Sequence, residues 1–206
     1  MNDSEVQSDL SYIKSVMEKS RPNIVINGWH FIMWGILVFF GIMNTYLAIL
    51  SGAPGNEIYI AWICIVVFGW ICSFVIRVYE KKKGITKTVK ALNETLIHKV
   101  IYSCNAAMII FGFIAPLTRV YSPFAICPSI AVILGMMYFM IGSIMENKMI
   151  RNLGIGWWIG SVGLFAMMSD KNIAVHSLLV YGMLIIFLQV IPGFILNKKF
   201  QNAKID

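Results

Sequence analysis

The sequence predicts an all-α integral membrane bundle: six transmembrane helices, an N-terminal amphipathic cytoplasmic helix, and both termini in the cytoplasm. The first observation is composition, because 58% of the 206 residues are hydrophobic and only 13% are charged, whereas soluble domains carry about 25% charged residues. The second is a set of apolar runs long enough to cross a bilayer. The third is the one-sided distribution of Lys and Arg around those runs.

Six apolar runs supply the predicted membrane spans. A helix needs about 20 apolar residues to cross roughly 30 Å of hydrocarbon, and backbone groups cannot stay unpaired there, so each run is expected to be helical. The runs are 24–50, 58–78, 98–117, 122–145, 152–169 and 176–197, of which the fifth is short and rich in glycine. The predicted domains are a cytoplasmic helix at 1–22, a transmembrane domain at 23–197 with a basic cytoplasmic connection at 79–97, and a basic tail at 198–206.

Basic residues set the predicted orientation. Of the 17 Lys and Arg residues, 15 lie on one side of the spans: Lys14, Lys19, Arg21, Arg77, Lys81, Lys82, Lys83, Lys87, Lys90, Lys99, Lys148, Arg151, Lys198, Lys199 and Lys204. Only Arg119 and Lys171 lie on the other. The positive-inside rule therefore places both termini in the cytoplasm. The predicted interface anchors are Trp29, Trp157 and Trp158 on the cytoplasmic side, with Tyr59 and Trp62 on the outer side.

Two segments outside the predicted bilayer carry an apolar stripe at helical spacing. The N-terminal stripe is Val6, Leu10, Ile13 and Met17, and the stripe of the second connection is Ile85, Val89, Leu92 and Leu96. Pro22 is expected to end the first of these helices, whereas the second is expected to run without interruption into the third span, giving about 30 residues. The stripes either rest on the inner lipid surface or pack on each other or on a protein partner.

The polar residues within the spans are few. All ten carboxylates lie outside the spans or at their ends, whereas ion-coupled pumps usually keep an ionisable residue within the membrane. The predicted topology places His30, Asn105 and Gln189 at similar depth in the cytoplasmic third. We expect them to turn inward as a polar cluster, with Trp34 as a wall of a cavity that faces the cytoplasm.

Small residues and one proline predict how the helices pack. Gly156, Gly160 and Gly163 recur at helical spacing and form a ridge that lets a neighbouring helix approach closely. Gly28 with Gly35, and Gly135 with Gly142, are thinner versions of this pattern. Pro192-Gly193 is expected to bend the sixth span, because proline removes a backbone hydrogen bond.

A weak internal repeat is also present. At an offset of 128 residues, 15–18 matches 143–146, Gly28-Trp29 matches Gly156-Trp157, and Gly35 matches Gly163; at an offset of 120, 74–76 matches 194–196. A parallel duplication explains these matches, in which the N-terminal helix and spans one and two correspond to spans four to six. The alternative is that Glu followed by Gly-Trp suits any inner membrane interface.

The N-terminal segment carries the only family resemblance. The stretch Tyr12-Ile13-Lys14-Ser15-Val16-Met17-Glu18-Lys19-Ser20, followed by Gly28 and a first span, resembles a group of uncharacterised bacterial polytopic membrane proteins. These begin with a similar tyrosine–isoleucine and methionine–glutamate–x–serine stretch. The resemblance covers about 30 residues and implies a bacterial inner membrane without implying an activity.

These patterns favour a binding role over catalysis. The four cysteines lie inside apolar runs without metal-ligand spacing, and no HExxH motif, GxSxG motif or pair of acidic residues occurs within a span, so no cofactor or metal is expected. The basic residues are dispersed between spans, which disfavours nucleic acid as a partner. The expected partners are the lipid bilayer and a protein on the cytoplasmic side, in a regulatory or assembly role, and homo-oligomers remain open. The alternative is a small transporter or channel built on the repeat.

Overall fold

The computed structural model describes residues 28–82, 92–118 and 121–202, and within these ranges the chain is helical with no strand. The N-terminal stripe, and Ile85 and Val89 of the second stripe, lie outside the described residues. The helices are α1 (Trp29–Leu50), α2 (Gly55–Lys82), α3 (Leu92–Ile109, continued by Ile110–Ile114 and Ala115–Leu117), α4 (Ile126–Ile144, after a 3₁₀ turn at Pro123–Ala125), α5 (Lys148–Met167) and α6 (Lys171–Ile185, continued by Ile186–Val190 and Ile191–Asn202).

Five of these helices are long and apolar enough to cross a membrane, and α5 is the exception. The first turns of α5 contain Lys148, Arg151 and Asn152, so its apolar part is short. The expectation of an all-helical membrane bundle is therefore confirmed in its coarser form. The sixth span, at 152–169, remains a prediction.

Short connections at 51–54, 118–122, 145–147 and 168–170 reverse the chain between successive helices. We call the end that contains the α4–α5 turn, the start of α1 and the last turn of α6 the basic end, and the other the opposite end. Near the opposite end, the rings of Tyr59 in α2 and Phe113 in α3 lie 5.7 Å apart, so these two helices also run antiparallel.

The core lies around α4, α5 and α6. α4 and α5 form the tightest pair, α6 packs on both of them and on α1, and α3 packs on α4. The largest fully buried side chains are Trp157, Tyr138, Ile150, Leu164 and Ile185. In contrast, α2 packs mainly on α1, and only 6% of its apolar stretch is buried, compared with 50% for α4. α2 and α3 are thus the peripheral helices.

A wider π-helical turn interrupts α3 at Ile110–Ile114 and α6 at Ile186–Val190. Each π turn ends two residues before a proline, Pro116 in α3 and Pro192 in α6. A proline ring clashes with the carbonyl four residues earlier and offers no N–H, and a wider turn relieves that clash. Next to Pro192, where the sequence predicts a bend, the structure therefore has a π turn.

The α4–α5 turn has an unusual residue at its centre. Glu146 has φ 53°, the left-handed conformation that usually selects glycine. The backbone N–H of Asn147 donates to the Gly142 carbonyl over 2.8 Å, as in a helix C-terminal cap. The Asn147 side chain then accepts from the N–H groups of Met149 and Ile150 and caps α5.

Candidate functional site

Gln189 is the most deeply placed member of the predicted polar cluster. It lies in the π turn of α6, is only 8% exposed, and its side-chain amide donates to the Phe31 carbonyl of α1 over 3.5 Å. Gly35 of α1 lies beside it, since a Cβ added there would stand 3.4 Å from Cγ of Gln189. The amide of Gln189 therefore faces inward, as predicted, and links α6 to α1.

Asn105, another member of that cluster, does not join Gln189. His30 is half-buried near the start of α1, whereas Asn105 is exposed on α3. The expectation that Asn105 faces the bundle interior is wrong, because α3 packs on α4 through Ile97, Val100 and Cys104. Helical periodicity leaves Asn105 at the edge of that face. The three polar residues therefore do not form a single cluster in the described part of the chain.

Trp34 lies at the junction of α1 and α2. Its indole N–H donates to the Ser73 hydroxyl over 3.0 Å, and its ring covers Gly69, where an added Cβ would lie 2.5 Å from the ring. The sequence identified Trp34 as a wall residue without indicating Ser73 or Gly69. The sequence pattern that could have identified this contact surface is a glycine followed four residues later by a hydroxyl residue, because both positions share a helix face.

The same arrangement occurs a second time, in the opposite direction. Trp62 of α2 donates its indole N–H to the Thr45 hydroxyl of α1 over 2.9 Å, and its ring covers Gly41. The Thr45 hydroxyl in turn donates to the Gly41 carbonyl. α1 and α2 are therefore joined by two reciprocal tryptophan contacts, which we call the tryptophan clasps. The prediction that Trp62 serves mainly as an interface anchor misses this role.

Trp157 was expected at the inner interface, and that expectation is wrong. The residue is fully buried in the middle of α5 and its ring lies 5.9 Å from that of Tyr181 on α6. Among the described residues, its indole N–H has no hydrogen-bond acceptor. Trp158 is also a packing residue: its ring covers Gly135 of α4, and its N–H donates to the Val132 carbonyl.

The glycine ridge of α5 is partly used. Gly156 and Gly160 accommodate Leu188 and Leu184 of α6, as the ridge predicted, whereas Gly163 faces open space. Gly154 also meets a neighbouring backbone, since an added Cβ there would lie 2.7 Å from the Gly135 carbonyl of α4. Gly135 and Gly142 therefore form a stronger ridge than the sequence suggested, because both meet the α5 backbone directly.

The internal repeat gains no support from the matched positions. Gly28-Trp29 stands at the start of α1 with Trp29 49% exposed, whereas Gly156-Trp157 lies mid-helix with Trp157 fully buried. Likewise, Gly35 is packed against α6, whereas its partner Gly163 faces open space.

The described residues form a helical bundle that is compatible with a multi-pass membrane protein, since five of its helices are long and apolar enough to span a bilayer. Within the described residues, no group of three His, Cys, Asp or Glu side chains is arranged to hold a metal ion. No family model, no curated protein and no solved structure matches the chain.

Proposed function

We propose that the protein is a non-enzymatic multi-pass protein of the bacterial inner membrane, with both termini in the cytoplasm. In this proposal it acts as a regulatory or assembly partner and binds another protein through its cytoplasmic helices. The charge distribution supports the orientation, and the N-terminal resemblance supports the compartment. The observation that carries the binding role is the exposure of Leu96.

Leu96 is the member of the two apolar stripes whose side chain the structure describes. It is 40% exposed, whereas the next residue, Ile97, is buried against α4. The last residue of the stripe therefore lies on a part of α3 that α4 does not cover. In this proposal, an open apolar side chain next to a basic cytoplasmic connection suits a partner helix with a complementary apolar face.

The filled centre of the bundle supports binding over transport. A transport pathway needs a polar, water-accessible cavity near the middle of the membrane. In this structure Trp157 fills the middle of α5, and Ile150 and Leu164 lie toward its two ends, each with no exposed surface.

Site-specific photo-crosslinking in bacterial cells tests the proposal. A photoreactive residue at Leu96 is expected to give one discrete adduct with a different protein, identified by mass spectrometry. The same residue at Phe40, an exposed position of α1, is the control and is expected to give lipid adducts only. Equal adducts at both positions, or adducts confined to lipid at Leu96, contradict the binding role.

A pair of charge variants separates binding from folding. Leu96→Asp places a carboxylate in the stripe and is expected to abolish the adduct formed from a second photoreactive position on the stripe, Leu92. The neighbouring variant Thr95→Asp adds the same charge at an exposed position outside the stripe and should leave the adduct intact. Loss of the adduct in both variants would indicate a general charge effect and would contradict a role for the stripe.

A further inference from the structure

α2 and α3 have facing surfaces that do not cover each other. Tyr59 of α2 and Phe113 of α3 are in contact near the opposite end, where the Tyr59 hydroxyl also donates to the Phe113 carbonyl over 3.4 Å. Beyond this contact, α2 packs mainly on α1 and α3 on α4. Behind them α1 meets α4, where the rings of Phe31 and Tyr138 lie 5.4 Å apart. The two peripheral helices thus flank a cleft that is closed near the opposite end.

Helical spacing identifies the residues of this cleft. On α2, Ile63, Val66, Trp70 and Arg77 share the face of Tyr59, since they follow it by 4, 7, 11 and 18 residues. Trp70 is 54% exposed and Arg77 is also exposed. These side chains lie on the face that is directed toward α3, yet α3 does not bury them. The cleft is therefore open along most of its length.

On α3 the corresponding face carries polar side chains. His98, Asn105 and Ile109 lie at spacings of 7 and 4, and the face continues through the π turn to Phe113. His98 and Asn105 are exposed. His98 lies roughly 10 Å nearer the basic end than Asn105, since seven residues separate them.

The depth of these residues separates a charged end from an apolar end. With a rise of about 1.5 Å per residue, Arg77 lies roughly 27 Å and Trp70 roughly 16 Å from Tyr59 along α2. Arg77 therefore stands near the membrane surface at the basic end, whereas Ile63, Val66 and Ile109 line the apolar interior. This order matches the order of groups in a phospholipid, from phosphate to acyl chain.

The charge at the open end selects among phospholipids. Residues 77–99, which join the two walls of the cleft, contain seven basic and two acidic residues. Positive charge of this density next to a membrane surface attracts anionic headgroups, and the guanidinium of Arg77 has the geometry for bidentate bonds to a phosphate. A zwitterionic headgroup offers no net charge to this end.

We propose that the α2–α3 cleft binds one anionic phospholipid of the leaflet at the basic end. Its phosphate is bound by Arg77, its ester region lies at the level of His98, and an acyl chain extends past Asn105 along Val66 and Ile109 toward the Tyr59–Phe113 contact. This lipid site does not depend on the identity of any protein partner.

Thermal unfolding of the full chain in detergent, with lipids added one at a time, tests the site. Phosphatidylglycerol is expected to raise the Tm of the unmodified protein by several degrees, because it binds the folded state, and phosphatidylcholine is expected to have little effect. Arg77→Gln should remove most of that increase. Lys148→Gln, which removes an exposed charge at the same end but outside the cleft, should retain it.

Three further measurements separate binding of a phospholipid at this site from other causes of a raised Tm. Inorganic phosphate at equal concentration should leave the Tm unchanged, because it lacks the acyl chain. His98→Leu, a variant that adds no charge, should reduce the increase in part and provides an independent check if Arg77→Gln folds poorly. Native mass spectrometry should show one retained phosphatidylglycerol on the unmodified protein and fewer on Arg77→Gln. Equal Tm increases with both lipids, or equal losses in Arg77→Gln and Lys148→Gln, would overturn the proposal.

Discussion

Single side chains join helices that hydrophobicity alone cannot hold together. Lipid tails are as apolar as leucine, so helix contacts in a membrane depend on close packing and on hydrogen bonds between helices. Trp34 and Trp62 supply both, since each covers a glycine with its ring and donates its indole N–H to a hydroxyl. The sequence could identify these tryptophans as notable. It could not assign the glycine and the hydroxyl residue that each tryptophan contacts. These residues lie on another helix, and only the packing of the two helices determines which residues face each other.

The Trp34 clasp leads to a quantitative prediction. Trp34→Phe removes the N–H and keeps most of the ring, so we expect the free energy of unfolding to fall by about 0.6 kcal/mol, the average for hydrogen bonds between membrane helices. Gly69→Val forces the ring away and should cost about 1–3 kcal/mol. Unfolding in mixed micelles measures both. A double-mutant cycle with Ser73→Ala should give a coupling energy close to the first value, and additivity of the two variants would contradict the hydrogen bond.

At Glu146 we predict a substitution that raises the free energy of unfolding, whereas the variants of Trp34 and Gly69 lower it. A non-glycine residue at φ 53° is strained, so Glu146→Gly is expected to raise the free energy of unfolding by up to about 1 kcal/mol. Glu146→Ala removes the same carboxylate without relieving the backbone and serves as the control. If both variants stabilise the protein equally, the carboxylate rather than the backbone conformation is responsible.

At the scale of elements, the helices follow from the sequence and their partners do not. Apolar length predicts α1, α2, α3, α4 and α6, because backbone groups in lipid must bond within a helix. The glycine pattern predicted a contact surface on α5 but not Gly154, which meets the α4 backbone directly. The expectation for Asn105 was wrong for a related reason. Helical periodicity identifies the residues that share a face, but which neighbouring helix covers that face depends on the packing of the whole bundle.

Two glycines of α5 test this packing as a matched pair. Gly154→Ala places a Cβ against the Gly135 carbonyl, which must separate α5 from α4, and we expect a loss of about 1–3 kcal/mol. Gly163→Ala meets open space and should leave stability unchanged or raise it by up to about 1 kcal/mol, since alanine favours a helix. Tm values in one detergent compare them. Equal effects would show that α4 and α5 do not pack through Gly154.

For the whole molecule, the sequence predicted the fold class because composition and helix length are properties that do not require knowledge of contacts. Orientation depends on the charge distribution, which acts during insertion rather than through packing. Function depends on surfaces, and most of the two apolar stripes lies outside the described residues. The clasps, the contact between Trp157 and Tyr181 and the α2–α3 cleft came only from the structure.

The orientation itself has a direct test. Single cysteines at Gly55 and Tyr121 are expected to react with an impermeant thiol reagent added outside cells, whereas cysteines at Gly84 and Asn147 should react only after the membrane is opened. The four natural cysteines, Cys64, Cys72, Cys104 and Cys127, are first replaced by serine or alanine. Labelling of Gly84 from outside would reverse the predicted topology, since the lysine-rich connection would then have crossed the membrane.

The π turns of α3 and α6 have a consequence for the evolution of the chain. A π turn holds one residue more than an α turn, so it behaves as a one-residue insertion confined to one place. In α6 it separates the segment that directs Tyr181 and Ile185 to the core from the segment that brings Gly193 to Gly28. Deleting one residue from 186–190 would turn every later residue by about 100°. Substitutions in one half of α6 therefore leave the orientation of the other half unchanged, whereas loss of the extra residue changes the orientation of the second half.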